Sequence, residues 1–178
     1  SPFASATEVT GTIGRDLSSC VGCDVKVSVL PVSGTEARRA ARLAGPCLDT
    51  LDVSCRDWEV NPELLRAAPG DIVSEDLHTH LLRSLCPVTD QPDIGSLQVS
   101  YRGPRIDRAG LLRYVVSFRQ HNDFHEACIE RMFVDIAARC GCEELTVYAR
   151  YQRRGGIDIN PLRSNVAVLP RNLRLWRQ

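Results

Sequence analysis

Ser84-Leu85-Cys86-Pro87-Val88-Thr89-Asp90-Gln91-Pro92-Asp93-Ile94-Gly95-Ser96 is the stretch around which the chain is organised. A cysteine stands near its front and an aspartate follows seven residues later. Two prolines lie between them and a glycine just beyond. Proline fixes φ and glycine frees it, so the run reads as an ordered turn and not as a flexible linker. Such a turn can fold back and bring a thiol and a carboxyl group into one small volume. That pairing suits covalent chemistry, in which a thiolate attacks an electron-poor carbon and an acid protonates the atom that gains charge. A buried structural cysteine beside an aspartate in a turn satisfies the same pattern.

Outward from this turn, the bulk properties set bounds. A chain of 178 residues suits one domain, or one and a half small ones. With 43% hydrophobic and 25% charged residues, the composition is that of a soluble globular protein. The net charge is zero but unevenly spread. Residues 45–76 hold eight acids against two arginines, and residues 150–178 hold seven arginines against Asp158 alone. One end can attract an anion that the other repels. Arginine supplies nearly all the positive charge, since Lys26 is the only lysine. No run approaches the roughly eighteen apolar residues of a membrane span. A basic start followed by an apolar stretch is absent, and so no signal peptide or membrane contact is expected. The chain opens on Ser1 and not on methionine, which suggests a piece of a longer protein. The eight cysteines are scattered, which favours reduced thiols in a cytoplasmic protein over a disulfide framework.

Periodicity divides the chain further. Ala6, Val9, Ile13 and Leu17 share a helical face, giving a helix over about 4–18. Val25, Val27 and Val29 alternate, giving a half-buried strand over 23–30 that ends at Pro31. Residues 34–46 read as a connection, 48–60 as weakly patterned extended chain, and 62–70 as a possible helical turn. Leu77, Leu81 and Leu85 fit either a helix face or a strand. Leu97, Val99 and Tyr101 alternate, with Arg102-Gly103-Pro104 closing that strand. Tyr114 to Phe118 is a second β-rich run. Asn122 would cap a helix whose face carries Ile129, Met132, Phe133, Ile136 and Ala137, and Gly141 would stop it. Leu145 to Tyr151 is a further strand, and the tail from Pro161 is irregular and basic. Helix then strand at 4–30 matches helix then strand at 122–151, and Cys23 falls on Cys142. This order implies two copies of a strand-strand-helix-strand unit, the first lacking its opening strands. The class is α+β: antiparallel sheets with helices on one face. The domain expectation is residues 1–70 as the remnant of a first module and 71–178 as the catalytic module.

Two other runs could join the turn in a site. In Ser117-Phe118-Arg119-Gln120-His121-Asn122-Asp123-Phe124-His125-Glu126, histidines, acids and an aromatic crowd the start of a helix. Glu126 there could accept two parallel N–H bonds from an amidine-like edge such as that of guanine, or the acids could simply cap the helix. In Arg150-Tyr151-Gln152-Arg153-Arg154-Gly155-Gly156, glycine lets the backbone approach an anion that arginine grips, though many such loops are plain solvated turns. His78, His80 and Cys86 have residue types that suit zinc, yet no second pair completes a four-ligand set, and Cys20-x-x-Cys23 lacks a partner pair. Metal is therefore not expected. Nucleic-acid binding would rest on the arginine-rich tail alone, without aromatics for stacking, and is not expected either.

Three runs, 86–93, 116–126 and 153–161, closely resemble the 7-cyano-7-deazaguanine reductase (QueF) family, the nitrile reductases of queuosine biosynthesis, a tRNA-modification pathway. The chain looks like the two-module form, truncated at its N-terminus. The resemblance is strong from Val73 onward and weak before it. It implies a tunnelling fold (T-fold), oligomeric assembly (a dimer for a full two-module chain), and reduction of a nitrile to a primary amine with two NADPH and no metal. By position, Cys86 looks like the nucleophile that forms a covalent thioimide, and Asp93 like the proton donor. His125 and Glu126 look like contacts to the deazapurine substrate. Arg154 and Gly155 look like NADPH contacts.

The chain departs from the family pattern in two places. The nicotinamide signature Glu-Ser-Lys-Ser-x-Lys-x-Tyr is absent, and Asp107-Arg108-Ala109-Gly110-Leu111-Leu112-Arg113-Tyr114 is a degenerate counterpart. Ile94 stands where the family usually has an aromatic residue. The competing readings are a non-catalytic purine-binding or assembly module of the same fold, and a zinc-dependent relative of the cyclohydrolases.

Overall fold

Leu77, Val99 and Val147 are apolar residues placed on one face of three neighbouring strands, and that placement builds the sheet. In a computed structural model, which describes residues 3–30, 40–168 and 171–178, residues 67–85 form one long strand, β1 (Ala67–Leu85). It pairs antiparallel with β2 (Pro92–Ile106), with Leu77 opposite Val99 and Ser84 opposite Asp93. The leucines of 77–85, which fit either element, are thus strand residues. β2 begins at Pro92 and runs past Arg102-Gly103-Pro104 to Ile106, longer than the alternation suggested. β3 (Glu144–Tyr151) pairs with β2, and a short β4 (Leu162–Ser164) pairs with β3, so the basic tail is not wholly irregular. The strand order is β1-β2-β3-β4, antiparallel throughout.

Between β2 and β3 the chain forms two helices, α2 (Arg108–Ser117) and α3 (His125–Cys140). Alternation along a strand sends successive side chains to opposite faces. Leu97, Val99 and Tyr101 therefore share a face with Leu145, Val147, Ala149 and Tyr151, and α2 and α3 pack on it. Tyr114, Phe118, Ile129, Met132 and Ile136 fill the space between, fully buried. The other face carries Gln98, Ser100, Thr146 and Tyr148. This is the expected α+β arrangement, an antiparallel sheet with helices on one side.

The β-rich run Tyr114 to Phe118 is helical, contrary to its composition. Asp107 caps α2, its carboxylate accepting from the N–H groups of Ala109 and Gly110 at 3.2 and 3.1 Å. Burial of Tyr114, Val115 and Val116 in the core outweighs their modest preference for strand. Asn122 does not cap α3; Phe124 occupies that position without a side-chain bond, while Asn122 forms a bridge to Leu85. Gly141 ends α3 in the left-handed region at φ 64°, as its position suggested.

The chain divides into two compact units, residues 1–39 and 40–178. In the first, α1 spans Ala6–Val21, capped by Ser5 and closed by Gly22 at φ 73°. Residues 23–30 form no strand, because no neighbouring strand among the described residues supplies hydrogen bonds; Pro31 and residues 34–39 lie outside the described residues. In the second unit, residues 48–60 are mostly irregular after one helical turn, and Pro62–Leu64 is the second such turn. This division differs from the boundary expected at 70/71. Leu43, Leu48 and Leu65 are buried in the second unit, and Asp107 donates its N–H to Arg66 O at 2.9 Å, so residues 40–70 fold together with the sheet and its helices.

Removing the Asp107 cap tests why α2 is a helix. Asp107→Ala should cost about 1 kcal/mol, within the range of cap deletions. The measurement is a lower urea midpoint with an unchanged circular dichroism spectrum.

Candidate active site

The tip between β1 and β2 is a closed turn. Cys86 donates its N–H to Gln91 O and accepts from Asp90 N–H, both at 2.9 Å. Asp90 takes φ 55°, a left-handed conformation that aspartate tolerates better than most residues. Cys86 lies in this turn, partly exposed. Asp93 lies one residue inside β2, and register directs its side chain to the helix-covered face, where it is 1% exposed.

Two further segments are tied to the turn by backbone bonds. Leu85 N–H donates to His121 O at 2.9 Å, and Asp123 N–H donates to Leu85 O at 3.1 Å. The Asn122 side chain also bonds the Asp90 carboxylate. These contacts bring the start of α3 against the hairpin. On the other side, Gln152 N–H donates to Ile94 O at 2.9 Å, which places the loop after β3 beside Asp93. That loop turns through Gly155 and Gly156 at φ 55° and 83°, with no atom within 4 Å of where a side chain would begin.

Asp93 is the meeting point of the three segments. Arg154 Nε and Nη2 lie 2.7 and 2.6 Å from Asp93 Oδ1, and Nη1 bonds Gln91 Oε1 at 3.1 Å. His125 Nε2 stands 3.2 Å from the same carboxylate oxygen but is not aligned for a hydrogen bond. The His125 ring packs edge-on against Tyr151, centroids 4.2 Å apart. The Cys86 thiol is held below the ordinary thiol range. The Thr89 hydroxyl contributes most, followed by the N–H groups of Val88 and Thr89; a smaller desolvation effect opposes them and the Arg154 charge adds to them. Arg154 therefore acts on both Cys86 and Asp93. A lowered thiol and a buried carboxyl group that share one guanidinium neighbour suit nucleophilic addition with proton transfer.

Of the residues anticipated from the sequence, Cys86, Asp93, His125 and Arg154 converge here. Glu126 is exposed in the first turn of α3 and Gly155 in the loop. Arg154 is engaged with Asp93 and Gln91, a pairing not foreseen across 61 residues of sequence. Arg150, which opened the arginine-glycine run, belongs to the opposite face of the sheet and holds the C-terminal tail through Asn172 and Gln178. Ile94 is exposed beside the site. Sequence reasoning missed Thr89, whose place inside the turn was the available signal. It also missed the buried Ser84, Cys128 and Tyr151 behind Asp93, where burial pushes the Cys128 thiol up to about 11.

The lowering of the Cys86 thiol by the Thr89 hydroxyl gives a direct check. Thr89→Val should raise the pH at which Cys86 reacts with iodoacetamide, so alkylation at neutral pH slows. An unchanged pH profile would remove the hydroxyl from the account.

Residues 92–168 match the family model described as QueF-like protein. Over 165 residues, 93% of its length, the chain is 53% identical to an NADPH-dependent 7-cyano-7-deazaguanine reductase from Azoarcus sp. (strain BH72). It covers 58% of that relative, so it spans a little over half the length of the protein it matches. A crystal structure of the archaeosine synthase QueF-Like in the apo form aligns at 16% identity with a TM-score of 0.48, covering 56% of this chain and 97% of the other. Residues 92–168 are thus similar to the QueF-like family model, and most of the chain is similar to a little over half of an NADPH-dependent 7-cyano-7-deazaguanine reductase.

Proposed function

We propose that the chain supplies the covalent and substrate-binding part of a 7-cyano-7-deazaguanine reductase, an NADPH-dependent oxidoreductase of the queuosine pathway. The observation that carries this reading is the 53% identity over 93% of the chain to a reductase of that name. The gathering of Cys86, Asp93, His125 and Arg154 supports it independently.

A nitrile carbon accepts hydride poorly. The Cys86 S–H bond breaks and its proton passes to Asp93, the thiolate sulfur adds to that carbon, one carbon–nitrogen π bond opens, and Asp93 hands the proton on to the nitrogen. The product is a thioimide on Cys86, more polarised than the nitrile. The Arg154 guanidinium, at 2.6 and 2.7 Å, holds the carboxylate that Asp93 becomes. When bound, NADPH would supply two hydrides, each matched by a proton from solvent: one to the thioimide carbon, after which the carbon–sulfur bond breaks and Cys86 is released, and one to the imine that remains. His125 and Glu126 hold the deazapurine, with the Glu126 carboxylate accepting from its amidine-like edge. The arginine-glycine loop fits a dinucleotide phosphate: the backbone at Gly155 and Gly156 is open, and a guanidinium with five N–H donors keeps some beyond those used on Asp93 and Gln91. The chemistry assigns no step to a metal.

The T-fold, a two-module parent chain, assembly as a homo-oligomer and a cytoplasmic setting belong to the same reading. Neither nucleic acid nor membrane is a partner in it. No helix among the described residues is long and apolar enough to cross a membrane.

Incubation with 7-cyano-7-deazaguanine followed by intact-mass measurement tests the assignment. The wild-type chain should gain the mass of one nitrile, localised to Cys86, and Cys86→Ala should gain none. Asp93→Asn should form the adduct about 100-fold more slowly, within the usual contribution of a positioned proton donor. Binding of the nitrile with no mass gain in the wild-type chain would favour a non-catalytic purine-binding module.

A further inference from the structure

β1 carries a second chemical cluster, on the face of the sheet away from Asp93. His78 and His80 are two residues apart in the strand and so point to the same side. Alternation places Ser96 and Gln98 with them, whereas Asp93, Leu97 and Val99 face the helices. The segment before β1 crosses this face closely. Gly45 makes the crossing possible at φ 74°, because a side chain there would begin 1.8 Å from Asp76 O. His78 N–H donates to Pro46 O at 3.1 Å, and Cys47 forms a bridge to His78. One potential ligand atom each from Cys47, His78 and His80 then lies within 4.8 Å of the others.

We infer that Cys47, His78 and His80 form a binding site for one thiolate-accepting divalent metal ion of the zinc class. Thiolate and imidazole are the ligand types zinc takes, at about 2.0 to 2.3 Å in tetrahedral geometry. The histidines are already oriented from behind. His78 Nδ1 bonds Ala44 O at 3.0 Å, and His80 Nδ1 pairs with the Ser96 hydroxyl at 2.7 Å. Each ring thus keeps Nε2 for an ion, and such outer partners fix the tautomer of metal-bound histidines. Asp49 stands beside the cluster, fixed by the Thr79 hydroxyl at 2.5 Å and by His80 N–H at 3.1 Å. Its negative charge favours a cation there. On binding, the Cys47 S–H bond breaks, a sulfur–metal bond forms and the proton passes to solvent. Three protein ligands leave a fourth position for water or the Asp49 carboxylate. The ion would staple residues 44–49 to the sheet. The site uses Cys47 in place of Cys86, which lies beyond the end of β1 in the hairpin turn.

Cobalt(II) titration of chelator-treated protein tests this directly. The wild-type chain should bind one equivalent with a sulfur-to-cobalt charge-transfer band and tetrahedral visible bands. Cys47→Ser should lose the charge-transfer band, and His80→Gln should weaken binding at least about tenfold. Cys86→Ser should bind as the wild type does. If Cys47→Ser does not fold, the double variant His78→Gln/His80→Gln carries the test, and it should abolish the tetrahedral spectrum while retaining native circular dichroism. Zinc should displace the cobalt and protect the 40–50 segment from proteolysis. The site is refuted if the wild type binds no cobalt, if only weak octahedral bands appear, or if the charge-transfer band survives in Cys47→Ser or vanishes in Cys86→Ser.

Discussion

The pairing register of β1 and β2 is the constraint on which the rest depends. With Ser84 opposite Asp93, the Asp93 carboxyl faces the helix-covered side, against His125 and Arg154. A slip of one residue would turn it to the other face and carry Leu97, Val99 and Tyr101 out of the core with it. Burial of those residues against α2 and α3 is therefore also what aims the carboxyl group. The same alternation sends His78 and His80 the opposite way. One strand pair thus serves two chemically distinct faces.

Backbone bonds, more than side chains, assemble the candidate active site. Leu85 exchanges hydrogen bonds with residues 121 and 123, and Ile94 accepts from Gln152. These bonds join three segments far apart in sequence, and the side chains then meet as a consequence. Arg154 closes the arrangement, since its charge reaches both the carboxyl of Asp93 and the thiol of Cys86. A buried carboxyl group without that partner would carry a large desolvation cost.

Local patterns were legible where one period dominated. The 3.6-residue spacing of Ile129, Met132 and Ile136, the glycine stop at 141 and the alternation from Leu145 to Tyr151 all appear as read. Reading failed where distant contacts decide. Tyr114 to Phe118 has the composition of a strand but is buried as a helix behind the Asp107 cap. Val25, Val27 and Val29 alternate without becoming a strand, because alternation supplies no neighbour to bond. The histidines at 78 and 80 suggested Cys86 as their companion by proximity in sequence. Their companion is Cys47, which a tight turn at Gly45 carries across β1. The residues of the candidate active site could be named from their motifs, whereas the Arg154–Asp93 pairing needed three dimensions.

The central claim is that sulfur 86 and carboxyl 93 act on one nitrile. A crystal structure of the chain soaked with 7-cyano-7-deazaguanine tests it most directly. The account predicts continuous density from Cys86 Sγ to the former nitrile carbon, with the attached nitrogen within hydrogen-bonding distance of the Asp93 carboxyl. A nitrile bound elsewhere, or density at Cys86 with its nitrogen pointing away from Asp93, would contradict it.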